Sequence, residues 1–120
     1  MTDNYSVFSL GILAETLCQP GGYEPKQLRS LSLEGPDQIS SLIEAILCSD
    51  EDRMKKDLSG LADYLSGKTS FAAWFNLGRV AASLFFLHAA EEYFEKSARI
   101  AQAQGDAEGQ SQAWISIGSL

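Results

Sequence analysis

An all-α fold of antiparallel helix pairs is what this sequence predicts, and three observations predict it. Apolar residues recur at three- and four-residue spacing, the period of a helix rather than the alternation of a strand. Gln19-Pro20-Gly21-Gly22, Gly35-Pro36 and Gly67 cut the chain into segments of helical length. Finally, 71–120 contains the start of one pattern twice: Ala73, Trp74, Leu77 and Gly78 return as Ala113, Trp114, Ile117 and Gly118, each 40 residues later. Self-similarity at a period of this size marks a helical repeat array.

The elements follow in order. Asp3 or Asn4 is placed to cap a helix running to about Cys18, with Phe8, Ile12, Leu13 and Leu17 along its buried side. Gly11 in its middle points to a close packing contact, and Gln19-Pro20-Gly21-Gly22 ends it. Pro25 at a first helical position opens a short helix through Leu28 and Leu31. Asp37 caps the next, which buries Ile39, Leu42, Ile43, Ile46 and Leu47. Ser49-x-x-Asp52 reads as a capping-box variant opening a helix with Met54, Leu58, Leu61, Ala62 and Leu65 inside and Gly67 as its C′ residue. Thr69 or Ser70 caps a helix from Phe71 to about Phe86, His88 to Gln104 forms another, and Asp106 caps a last one reaching Leu120. Six or seven helices and no strand are expected. They divide into an N-terminal helical segment (1–35), a helix pair (36–70) and the repeated region (71–120).

Within the repeated region the residue types have a physical reason. Trp74, Leu77, Ala81 and Leu84 form one helical stripe, and Ala90, Phe94, Ala98 and Ala101 form another. The small residues Gly78 and Ala90 let two backbones approach while Trp74 and Phe94 fill the flanking volume.

Trp74-x2-Leu77-Gly78 followed by Ala90-x3-Phe94 resembles the tetratricopeptide repeat, whose signature is W-x2-L-G-x2-Y…A-x3-F. Ala81 stands where the tyrosine is usual, and the 40-residue period exceeds the usual one of about 34. It is similar to the extended subclass that ends in a Gly-Asp turn, here Gly105-Asp106. The resemblance implies helix pairs stacked in a right-handed superhelix, with 71–120 as one repeat plus the first helix of a second. On that reading 36–70 is a capping pair or a degenerate repeat.

Composition bounds the function. At 120 residues, with 45% apolar and 21% charged residues, the chain is expected to fold as one domain with a real core. Net charge is −7: eleven acids against six bases before Ser70, and five against three after it. With no basic patch, neither nucleic acid nor an anionic membrane is expected as a partner. The first twenty residues have no basic n-region or cleavage pattern, and apolar runs fall far short of a bilayer span. Cys18 and Cys48, without CxxC spacing, read as half-buried thiols in a reducing compartment. A cytoplasmic protein is expected.

No reaction is visible. The single histidine, His88, supports neither a triad nor a metal site and is expected to be a surface or half-buried packing residue. Asp50-Glu51-Asp52 lacks the loop pattern of a calcium site and reads as a solvated helix start. Gly67-Lys68-Thr69 lacks the glycine that a phosphate loop needs at 62, where Ala62 stands. No enzyme, cofactor or metal is therefore expected.

The resemblance implies instead a concave face lined by the first helix of each repeat, binding a peptide or protein. Transferred position by position, that face carries Ala72, Phe75, Asn76, Arg79 and Ser83, then Gln112, Ile115, Ser116 and Ser119. Asn76 can hydrogen-bond a peptide backbone and Arg79 can grip a carboxylate. Phe75 stands where family members that clamp a C-terminal carboxylate have a lysine, which disfavours such a clamp.

The alternative is self-association. Trp114, Ile115, Ile117 and Leu120 open a second repeat with no partner helix after them, so an apolar face is left over. Leaving such side chains in water forgoes about 1.5–3 kcal/mol each. Either further repeats belong beyond this stretch or the helix docks on another copy.

Overall fold

The computed structural model describes residues 2–19, 22, 24–34, 37–67 and 70–120, with side chains described outside 2–9, 32–34 and 37–38. Seven helices and, among the described residues, no strand make it all-α, as expected: α1 (Thr2–Leu17), α2 (Pro25–Glu34), α3 (Asp37–Leu47), α4 (Glu51–Leu65), α5 (Phe71–Ser83), α6 (Leu87–Ala103) and α7 (Ala107–Gly118). Length alone predicts one domain, but the chain forms two compact units, Met1–Ser66 and Gly67–Leu120.

In the first unit α3 packs on both α2 and α4, and α1 packs on α2 and α3. The sequence of α3 explains its central place. Ile39, Leu42, Ile43 and Ile46 form one stripe, and buried Ala45 widens it towards a second neighbour; Leu47 is only half-buried. Met54, Leu58, Leu61 and Leu65 bury the facing stripe of α4, while Ala62 lies at its edge. Pro25 does open α2, and Leu28 and Leu31 are its buried anchors. Arg53 of α4 ties the α3/α4 pair at its edge: it donates to Glu44 Oε2 at 3.1 Å and to Ser41 Oγ at 3.4 Å, and Ser41 donates to Asp57 Oδ2 at 2.9 Å.

Several expectations in this unit are corrected. α1 starts at Thr2, so Asp3 and Asn4 lie inside it. Its buried residues are Leu10, Leu13, Ala14 and Leu17, and Ile12 is on the outer side; the side chain of Phe8 lies outside the described ones. Cys18 and Cys48 are exposed rather than half-buried, because each sits at a helix end where its side chain reaches water. Asp37 is the first residue of α3, with its side chain outside those described, as are residues 20, 21, 35 and 36 of the breaks.

In the second unit α6 packs against both α5 and α7. Ala90, Phe94, Ala98 and Ala101 are all buried, together with Tyr93 and Ser97. The closest approach is at Gly78. A Cβ built there would lie 2.7 Å from two carbons of the Phe94 ring, so that ring rests directly on the α5 backbone. Trp74, 2% exposed, packs against Tyr93 with centroids 6.0 Å apart and carries the Lys96 ammonium 4.6 Å from its ring centroid.

One turn geometry joins three helix pairs. After α3, Asp50 N–H donates to Ala45 O (3.0 Å) and Ser49 N–H to Ile46 O (3.1 Å). After α5, Phe86 N–H donates to Ala81 O (2.9 Å) and Phe85 N–H to Ala82 O (3.0 Å). After α6, Asp106 N–H donates to Ala101 O (2.8 Å) and Gly105 N–H to Gln102 O (3.1 Å). These are Schellman closures with the C′ residue left-handed: Ser49 at φ 54°, Phe85 at 67°, Gly105 at 73°.

The next residue is at once the N-cap of the following helix. Asp50 accepts from Arg53 N–H at 3.2 Å and Asp106 from Gly109 N–H at 2.9 Å. Asp50, not Ser49, is therefore the cap of α4, and Phe86 caps α6 with no side-chain bond. Ser70 caps α5 through Ala73 N–H; Thr69 lies outside the described residues. Consequently α5 ends at Ser83 instead of near Phe86, Leu84 falls in the turn, and α7 ends at Gly118. Gly67 follows the Ser66 cap without adopting positive φ.

Three substitutions test this packing and the turn geometry by their effect on stability. Gly78→Ala drives a methyl into Phe94 and lowers stability by about 1–3 kcal/mol in denaturant titration. Gly60→Ala, where nothing lies within 4 Å, raises it by about 0.5–1 kcal/mol. Phe85 is 84% exposed and holds a left-handed conformation that costs a non-glycine residue about 1–2 kcal/mol, so Phe85→Gly raises the unfolding midpoint.

Candidate interaction surface

The face of α5 turned away from Trp74 and Leu77 gathers four of the expected binding residues. Phe75, Asn76, Arg79 and Ser83 recur at helical spacing and are all half-buried, while Ala72 at the start of the face is exposed. Phe75 is not a free contact. Its ring stacks on Phe71 (centroids 5.2 Å, planes 20° apart) and tilts against Phe94 (5.4 Å, 54°), which continues the helix-pair core onto this face. Sequence spacing places Phe75 on the face but carries no sign of this lock, because Phe94 belongs to another helix.

One turn on, Arg79 Nη1 donates to Asn76 Oδ1 at 3.3 Å. Unlike Arg53, which pairs with Glu44 and Asp57, Arg79 has no carboxylate against it among the described residues. Its guanidinium keeps donors in hand one turn beyond Phe75 on the same face, and Asn76 keeps its amide N–H groups. Ser83 donates to the Arg79 carbonyl at 2.9 Å, so its hydroxyl serves its own helix.

The second set lies on α7. Gln112 is exposed and Ser116 half-buried, with Ser116 Oγ donating to Gln112 O at 2.9 Å. α5 and α7 each pack on α6 and share little contact with one another, so the two sets are presented by separate helices. The expected self-association residues are also on or just beyond α7. Trp114 is 50%, Ile115 68% and Leu120 40% exposed, and Ile117 is half-buried. Trp74 and Trp114, equivalent in sequence, are thus opposite in environment: α6 covers the first and leaves the second in solvent.

No family model, curated protein or solved structure matches this chain. What it does rests on its own residues.

Elsewhere, His88 is exposed, as are Asp50, Glu51 and Asp52 at the start of α4. Among the described residues no group of three or more His, Cys, Asp or Glu is placed to hold a metal ion, and no helix is long and apolar enough to cross a membrane.

The contrast between the two tryptophans has a direct readout. Aqueous quenchers such as iodide or acrylamide should reach Trp114 and spare Trp74. In dilute protein, Trp114→Phe therefore removes most of the quenchable emission and leaves a blue-shifted remainder from Trp74.

Proposed function

We propose that this chain is a non-catalytic protein-interaction module that takes a peptide or protein segment along the α5 face. The observation that carries this reading is Arg79: a half-buried guanidinium with no carboxylate partner among the described residues, steered by Asn76 and bordered by the Phe71–Phe75 stack. A cation positioned and left uncompensated is suited to a carboxylate or carbonyl supplied from outside. The amide of Asn76 is suited to peptide backbone, and the Phe71–Phe75 pair to an apolar side chain beside it. The similarity of Trp74-x2-Leu77-Gly78…Ala90-x3-Phe94 to the tetratricopeptide repeat supports the same use of the same helix, with Gln112 and Ser116 as further polar contacts. The absence of any recognisable catalytic set in the sequence accords with binding rather than turnover.

Peptides selected from a random library against the folded chain test it. Binders that use this face lose about 10- to 100-fold in affinity on Arg79→Glu, the range of one charge-assisted hydrogen bond lost. A smaller loss is expected for Asn76→Ala, with helicity unchanged by circular dichroism. Binders indifferent to both substitutions would move the site away from α5.

A further inference from the structure

The helix α7 presents an unusual outward stripe. Ser111, Trp114, Ile115 and Gly118 fall at i, i+3, i+4 and i+7, the spacing of a buried helix face, yet all four are exposed. No charge lies on α7 beyond Glu108 in its first turn, although the chain as a whole carries −7. A Cβ at Gly118 would meet nothing within 4 Å, so beside the projecting indole of Trp114 lies an open notch in the same helix surface.

The molecule shows how such a pair is used. Where α5 meets α6, the Phe94 ring lies on bare backbone at Gly78, and that contact sets the closeness of the two helices. α7 carries both halves of the same device, an aromatic knob at 114 and a glycine hole at 118. We propose that this stripe is an interface with a second copy of this chain, in which two α7 helices cross antiparallel and Trp114 of each copy packs over Gly118 of the other. A two-fold axis at the level of Ser116 puts both contacts in register, because the two positions lie about 6 Å apart along the helix. Such an isologous contact needs a self-complementary surface, and knob and hole four residues apart on one helix are that.

Charge also bears on where two copies can meet. Two chains of net charge −7 repel one another, and the stretch from Gly109 to Leu120, which carries no charged side chain, is where they meet with the least opposing charge. Ile115 and Leu120 flank the axis and add apolar area. This face is separate from the α5 face and leaves Asn76 and Arg79 open to another ligand.

Molar mass by light scattering or sedimentation, from low micromolar to near millimolar protein, tests the proposal. The expected result is a rise from 13.0 kDa towards twice that value. Trp114→Ser and Gly118→Ala should each weaken the association at least about tenfold, equivalent to ~1.4 kcal/mol. Gly118→Ala is the sharper variant, since the added methyl touches nothing in the monomer and fills the hole only in the dimer. It also decides the matter if Trp114→Ser loses helicity. A constant 13.0 kDa across the range overturns the proposal, and so does an association that Gly118→Ala leaves unchanged.

Discussion

The contact between the Phe94 ring and the backbone at Gly78 is the constraint on which the second unit depends. Without a side chain at 78, α5 and α6 approach closely enough for Trp74 to meet Tyr93 and for the Lys96 ammonium to lie over the indole. The same ring also meets Phe75, and Phe75 stacks with Phe71 on the helix face that carries Asn76 and Arg79. Packing inside the helix pair and presentation of polar groups outside it are thus one arrangement. A change in the volume of residue 78 or 94 therefore bears on Phe75 as well as on the helix pair.

Much of this was legible in the sequence because it follows from period and size alone. The stripes of α3, α4 and α6 were readable since each has one apolar face flanked by polar residues. The need for a small residue at Gly78 was readable from Trp74 and Phe94, which supply the volume on either side. α1 was harder: apolar residues surround it, several stripes fit its sequence, and its contacts with α2 and α3 select Leu10, Leu13, Ala14 and Leu17. Cysteines tend to be buried, but the helix-end positions of Cys18 and Cys48 override that tendency.

The turns divide according to their chemistry. Gly105-Asp106 announces itself, with a residue suited to positive φ followed by a good N-cap. Ser49-Asp50 announces only its second half. Leu84-Phe85-Phe86 announces nothing, having neither glycine nor a capping side chain, so spacing alone carries the helix on to about Phe86, beyond its end at Ser83. That turn is held by its closure bonds and by the α5–α6 packing on either side of it. Of the candidate binding residues, the Asn76–Arg79 spacing was visible in sequence. The fixing of Phe75 depends on a ring from a different helix and was not.

The three closures share a further property. In each, the residue that completes the closing hydrogen bond of one helix is already the cap of the next, so no spare residue separates them. Connections of this kind have no slack to absorb a change in chain length. One residue inserted into α6 would turn everything after it by about 100° about the α6 axis and carry α7 to a different side of α6 from the one it holds relative to α5. Chains built this way can drift in composition at their surfaces but can change length only in near-whole helical turns. Their geometry is inherited in discrete steps.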